Sequence, residues 1–424
     1  MGFDFEWNEF ADQPHNVAPR SERLRHHLRC GETYLALLAS NLSRALPSLR
    51  LYRRYRKAMY RNPIPICRSC FAVSVSPAAE RIEEILQRLK ETGVTETLVR
   101  IPSWERPRLD FYENFLGLLR RQGFALTVAI LQRREDVFRI SAWHSFLEDV
   151  FSRLHPLCSF YEIGHAWNRT KWGVWDLTEY LHLARSALSL RDKYNVKLIG
   201  PAVIDFEFHL YPPVLRAIPF DKISSLLYVD RTGAPENAQA GWTTAMKVAL
   251  LKAVADSSVK EPTDCWITEV NWPLQGTGKY SPASGRPNVT EDEQANYLVR
   301  YYIICLASGL IERVYWWQLV APGYGLIDSR ETPWRKRPSF FAFQTMVRIL
   351  EGSIFIQKIK DTQAEVFLFR KGESDFAVCW TKGAPVPHEF SREVDRIVDR
   401  DGQEIPLGPD RVKMEGRPKY VFFK

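Results

Sequence analysis

The sequence predicts an α/β chain: a (β/α)8 TIM barrel with a C-terminal antiparallel β-domain and a basic, partly helical N-terminal arm. Three observations predict it. Eight short β-rich runs recur between residues 71 and 319, and most are separated by segments of helical periodicity. From Glu351 onward that periodicity stops, and short alternating runs broken by turns take over. The formal charge of +8 is also uneven: Arg20 to Asn62 hold eleven basic and two acidic residues, or +9, and the remainder sits near −1.

Taken in order, residues 1–19 show no periodic pattern. Residues 20–61 alternate basic and apolar positions, with Leu35, Leu37, Leu38, Leu42, Leu46, Leu49 and Leu51 among them, so the spacing predicts helix, broken at Pro47. Asn62-Pro63-Ile64-Pro65 is a stiff break. It sets the expected boundaries: an arm over 1–62, a barrel over 63–350 and a β-domain over 351–424. The barrel runs are Phe71–Ser76, Thr97–Ile101, Ala125–Ile130, Ser159–Gly164, Val196–Gly200, Ser224–Val229, Cys265–Val270 and Arg313–Leu319. Their β-branched and aromatic content suits strands buried on both faces. Ala78–Thr92, Phe111–Gln122, Asp176–Tyr194 and Thr290–Ala307 supply intervening helices. Ile354–Ile359, Glu365–Arg370, Phe376–Trp380, Asp395–Val398 and Tyr420–Phe423 alternate as terminal strands.

Composition narrows the function. A chain of 424 residues with 45% apolar content is ordinary globular protein, not disordered, collagenous or coiled coil. No run of 18 apolar residues predicts a membrane span, and Met1–Phe10 lacks the charged start of a secretory signal, so a cytoplasmic location is expected. Seven scattered cysteines suit a reducing compartment, and Cys67-x-x-Cys70 has no second pair to complete a zinc site. The sequons at Asn41, Asn168 and Asn288 then read as accidental. Two readings of the basic arm stay open: a solvated helix packed on the barrel, or an amphipathic segment on an anionic membrane surface, peripheral at its inner face. Nucleic-acid binding is not expected, because Tyr52, Tyr55 and Tyr60 are few and no recognition motif surrounds them.

Barrel chemistry sits at strand C-termini. There, Glu269 lies within the apolar run Trp266-Ile267-Thr268-Glu269-Val270, where a carboxylate is costly unless hydrogen-bonded. Arg100 can hold it bidentately, and Tyr228 can donate a further bond. Trp104, Trp167, Trp172, Trp272, Trp316 and Trp317 all fall at or just past strand ends. Singly each suits core packing, but grouped on one rim they favour a saccharide cleft.

These residues resemble the clan A retaining glycoside hydrolases, in particular the β-xylosidase/α-iduronidase-type family, over residues 69–424. Trp266 to Glu269 looks like that clan's nucleophile strand. Gly325-Leu326-Ile327-Asp328, followed by Arg337 to Phe343, looks like its segment after strand eight. The resemblance implies Glu269 as nucleophile, held by Arg100 and Tyr228, with Trp316 as the subsite floor; Trp104, Trp167 and Trp272 are expected on the sugar from their place at strand ends. It implies no cofactor and no metal. Its departures are specific. Where the clan ends its fourth strand Gly-Asn-Glu, this chain has Gly164-His165-Ala166, so Ala166 stands at the acid/base position. Leu226 stands where the sixth strand carries His.

Retaining hydrolysis needs two carboxyls, and the acid contributes roughly 10²–10⁴-fold. Three routes restore a donor. His165 can act if it turns inward, Glu162, Asp205, Glu207 or Asp230 can reach in, or an activated glycosyl donor can bring its own leaving group. The sequence therefore predicts either a carbohydrate-active enzyme (hydrolysis or transglycosylation on a glycan or glycolipid) with an altered proton donor, or an inactive glycan-binding scaffold of the same fold in surface-polysaccharide assembly.

Overall fold

A computed structural model describes residues 5–15, 19–230, 232–281, 288–407 and 412–424. Eight parallel strands close into a barrel. They are β1 (Phe71–Ser74), β2 (Glu96–Pro102), β3 (Ala125–Leu131), β4 (Phe160–Ile163), β5 (Lys197–Ile204), β6 (Lys222–Leu226), β7 (Cys265–Val270) and β8 (Arg313–Trp316). β8 pairs with β1 to complete the ring. Each of the eight β-rich runs thus becomes a strand at nearly its expected position.

The helices are α1 (Arg20–Arg29), α2 (Gly31–Ala58), α3 (Ile82–Glu91), α4 (Leu109–Arg121), α5 (Arg134–Phe138), α6 (Ile140–Leu154), α7 (Leu177–Tyr194), α8 (Tyr211–Ala217), α9 (Thr244–Ser258), α10 (Glu291–Leu306) and α11 (Pro338–Leu350). From α3 onward they cover the barrel. Tyr112, Phe115, Leu116 and Leu119 show why: all four lie on the buried face of α4. The main core lies between this helical layer and the outward strand residues. A second core of Leu98, Ala129, Ile199, Trp266 and Tyr315 fills the barrel interior.

Two register irregularities matter to the site. On β7, Ile267 lies opposite Val314 of β8 and Val270 opposite Trp316, so β7 carries one extra residue there. On β5 an extra residue falls between Gly200 and Val203. Such bulges re-aim side chains at barrel rims.

The arm corrects one expectation. α2 runs unbroken from Gly31 to Ala58 with Pro47 inside it. A proline deletes one helical bond, but tertiary bonds hold the helix on both sides of it. Asn41 Nδ2 donates to the His209 carbonyl at 2.8 Å, and Arg44 Nη1 to the Ser257 carbonyl at 3.0 Å. Ser48 pairs with the Ser257 hydroxyl at 2.8 Å, and the Tyr55 hydroxyl donates to Asp256 at 2.5 Å.

The C-terminal strands form a seven-stranded antiparallel sheet with Ser374–Thr381 and Lys419–Phe423 near its middle. Its edge is Ile64–Ile66, which pairs with Ser353–Phe355. The terminal sheet therefore borrows a strand from the segment just before the barrel. Residues 5–15, which have no sequence period, form a small hairpin in which Trp7 faces Pro14 and Asn8 faces Gln13.

Candidate active site

A cavity of about 590 Å³ opens at the C-terminal mouth of the barrel, within the usual size of small-ligand sites, roughly 300–1,000 Å³. Arg100, His165, Tyr228, Glu269 and Trp317 line it, with Lys171, Trp172 and Asn271 beside them.

Strand alternation explains much of this convergence. Along β2, Leu98 and Arg100 share a face: Leu98 lies in the inner core, and Arg100 reaches the cavity one step above it. Past β6, Leu226 and Tyr228 do the same. On β7 a plain alternation would send Thr268 inward and Glu269 outward. Yet Thr268 bonds Glu162 inside the barrel and Glu269 lines the cavity as well. The extra residue of β7 allows both.

Glu269 is buried, at 6% exposure. Arg100 Nη2 donates to Oε2 and the Tyr228 hydroxyl donates to Oε1. Burial pushes the Glu269 carboxyl above its ordinary value, and these two donors pull the other way. Burial also raises the Tyr228 hydroxyl, which keeps it protonated and able to donate. The Arg100 guanidinium stacks 3.2 Å from the centroid of Trp317. That contact fixes the plane in which its nitrogens point.

His165 turns inward. Gly164 makes this possible: its φ of +77° suits a residue without Cβ, and a Cβ there would meet the Tyr180 ring at 2.8 Å. Gln132 then clamps the loop, accepting from the His165 N–H at 2.9 Å and donating to its carbonyl at 3.0 Å. His165 Nε2 lies 3.1 Å from Arg100 Nη2 and 3.4 Å from Glu269 Oε2. A guanidinium can only donate, so in the contact with Arg100 it is Nε2 that accepts. Burial, and then Arg100 and Lys171, hold the imidazole well below its ordinary pKa. Ala166 presents only a buried methyl, with φ +43°.

The other carboxyls fall into place. Glu162 accepts from Thr268 at 2.5 Å below the cavity, and burial raises it to about 7. Asp205 pairs with Arg169 at 2.6 Å, and Glu207 pairs with the same guanidinium. Asp230 accepts from the backbone N–H of Thr232 at 3.0 Å and from that of Gly233.

The tryptophans need correction. Trp317 and Trp172 line the cavity. Trp316 does not. Inward positions of β8 are Arg313 and Tyr315, so Trp316 points outward and stacks on Trp272 at 6.1 Å. Trp272 is fully buried and donates to the Gly233 carbonyl. Trp167 stacks on Tyr180 at 4.4 Å and donates to the Pro201 carbonyl. Trp104 is half-buried beneath Phe5 and Trp7, at 4.6 and 5.0 Å.

One wall escaped the sequence reading. The tip of the N-terminal hairpin, Ala11 to Gln13, reaches the cavity, and Arg100 Nη1 donates to Asp12 Oδ2 at 3.1 Å. Nothing local in residues 5–15 signals this, since their partners lie far along the chain. Elsewhere, among the described residues, His26, Cys30 and Asp176 could offer metal-ligand atoms within 4.8 Å of one another. They lie outside the cavity, and Asp176 already caps α7 through the Glu179 N–H.

Solved structures share the fold. A family 39 glycoside hydrolase from Bacteroides cellulosilyticus WH2 superposes with a TM-score of 0.69 at 17% identity, covering 84% of this chain and 81% of that one. A GH51 arabinofuranosidase from Xanthomonas axonopodis pv. citri gives 0.57 at 10% identity, over 86% and 98%. A GH30 endoxylanase from Clostridium papyrosolvens C71 gives 0.56 at 10%, over 86% and 98%. Neither a family model nor a curated protein sequence matches the chain. The likeness is one of fold: a barrel similar to those of clan A glycoside hydrolases, with a C-terminal antiparallel β-sheet.

Proposed function

We propose that the chain is a carbohydrate-active barrel of the retaining glycosidase type, acting on a glycan or glycoconjugate through Glu269. One observation carries this reading. A buried carboxylate faces a cavity of sugar size while two donors, Arg100 and Tyr228, are bonded to it. That arrangement stabilises the ionised form and aims one oxygen at a reacting carbon. Trp317 and Trp172 give the cavity apolar ring faces suited to the C–H faces of a pyranose or furanose. Arg100 binds the ionised carboxylate, so its hold weakens as Glu269 loses charge in forming a glycosyl ester and is restored when cleavage of the ester regenerates the carboxylate.

A second reading has its own observation. On the resemblance, Ala166 and Leu226 replace the acid/base glutamate and a histidine, and both are fully buried. A protein that had given up hydrolysis would look like this while still holding a glycan. One experiment separates the two. The protein is incubated with 2,4-dinitrophenyl 2-deoxy-2-fluoro-glycosides of xylose, arabinose, glucose, galactose and mannose, and intact mass is recorded. The enzyme reading expects one covalent adduct, mapped to Glu269 and absent in Glu269→Gln. No adduct with any sugar, together with measurable glycan binding, leaves the scaffold reading.

We also propose that the arm contacts an anionic lipid surface. α2 meets the barrel through Ser40, Arg44, Ser48 and Tyr55, yet Leu35, Leu38, Leu42, Leu46 and Leu49 stay 43–67% exposed. The apolar row therefore points away from the protein, with Arg50, Arg53, Arg54 and Arg56 following it.

A further inference from the structure

We propose that Asp12, carried by the N-terminal hairpin, is the second carboxyl of the site: the proton donor and acceptor that strand β4 does not supply. The inference rests on Glu269 as nucleophile.

The geometry starts at Arg100. Its two terminal nitrogens hold two different carboxyls: Nη1 donates to Asp12 Oδ2 at 3.1 Å, and Nη2 to Glu269 Oε2. Because both nitrogens share one carbon, the two carboxyls stand a few ångströms apart on the rim of one cavity. Retaining chemistry needs its pair separated by about 5 Å. Both groups line the cavity.

Asp205 and Asp230 line the same cavity, but each is held by groups other than Arg100. Asp205 is bound to Arg169, and Asp230 to two backbone N–H groups. Glu162 lies beneath, held by Thr268. Burial and Arg100 disfavour a proton on the His165 imidazole. Among these carboxyls, Asp12 is the one bonded to the guanidinium that holds Glu269. Its side chain keeps 21% exposure and lines the cavity. Burial holds the Asp12 carboxyl above the ordinary aspartate value, with Arg100 opposing. That direction favours a group able to carry a proton.

The hairpin is built to hold it. Asn8 Oδ1 accepts from the N–H groups of Phe10 and Ala11 at 3.0 and 3.1 Å, closing the turn. Asp12 then takes φ +49°, a left-handed conformation that aspartate tolerates better than most residues. Trp7 packs on Trp104 and Trp172 at 5.0 and 5.9 Å, and Lys171 Nζ donates to Gln13 at 2.5 Å. Phe10 sits edge-on to Tyr280 at 5.0 Å.

The chemistry balances in two displacements. First, a Glu269 oxygen bonds the anomeric carbon, the bond to the leaving oxygen breaks with its electron pair going to that oxygen, and Asp12 gives the oxygen its proton. Second, the Asp12 carboxylate takes a proton from water, the water oxygen bonds the anomeric carbon, and the ester bond to Glu269 breaks.

Full-length wild type, Asp12→Ala and Asp12→Asn are compared on the 2,4-dinitrophenyl and methyl glycosides of whichever sugar labels Glu269. The expected result is a loss of 10²–10⁴-fold in kcat/KM on the methyl glycoside in both variants. Glycosylation by the dinitrophenyl glycoside, whose leaving group needs no proton, should change less than about tenfold. Azide should restore turnover of Asp12→Ala with glycosyl azide as product, since an anion then replaces the missing base. Asn8→Ala, which loosens the turn, should reproduce part of the methyl-glycoside loss. Equal losses on both substrates without azide rescue would reduce Asp12 to a positioning residue. A gain of activity in Asp12→Ala would make the hairpin a plug. Either result overturns Asp12 while leaving Glu269 intact. Absence of any adduct in wild type removes the glycosidase reading itself, and Asp12 with it.

Discussion

Glu162 shows how much of this barrel's electrostatics rests on single side chains. Burial lifts its carboxyl to about 7, against about 4.3 for an unfolded glutamate. Between those values the folded chain binds more protons than the unfolded one, so stability falls as pH rises from about 4 to about 7 and stays low above. Glu162→Gln removes the cost of ionising a buried group and keeps an acceptor for Thr268. It is expected to exceed wild type by about 3 kcal/mol at pH 8 and to lose that advantage near pH 4, as read from urea midpoints. The same scale shows what the sequence reveals. Glu269 stands out because an acid interrupts an apolar strand. Trp316 misleads because two tryptophans are adjacent and the strand's parity decides between them. Counting from Arg313 and Tyr315, both turned inward, selects Trp317, which stacks on Arg100. The bulge on β7 escapes such counting, because an inserted residue leaves no mark on a run of apolar side chains.

Helices and strands were legible wherever one face is apolar. α4 and the eight barrel strands follow from periodicity, and their observed limits lie within a few residues of the expected ones. α2 did not, because Pro47 breaks a helix in isolation and only contacts with Asp256, Ser257 and His209 carry this one through. The missing bond still costs energy. Pro47→Ala is expected to raise stability by about 1–3 kcal/mol in urea unfolding, with labelling of Glu269 unchanged. A fall in stability would mean that the proline's rigidity outweighs the lost bond. The hairpin of residues 5–15 was illegible for a related reason. Its partners, Arg100, Trp104, Lys171, Trp172 and Tyr280, are scattered over nearly two hundred positions, and no local pattern encodes them.

Charge and polarity divide the whole molecule unequally. A +9 arm is joined to a near-neutral remainder, and the arm turns its leucines outward. Among the described residues no helix is long and apolar enough to cross a membrane. The full chain should float with phosphatidylglycerol vesicles at low salt, less so as salt rises, and not with neutral phosphatidylcholine vesicles. Leu38→Glu together with Leu42→Glu should abolish flotation. Concentration-dependent dimerisation without flotation would instead assign the leucine row to a second copy of the chain.

The hairpin places part of the cavity wall outside the barrel that bears the rest. A fragment cut at the Asn62–Pro63 break would keep every barrel strand, the terminal sheet and Glu269, and would lack the Asp12 side of the mouth. Trimming this chain to its recognisable barrel, or replacing its first fifteen residues with a tag, would measure a different site.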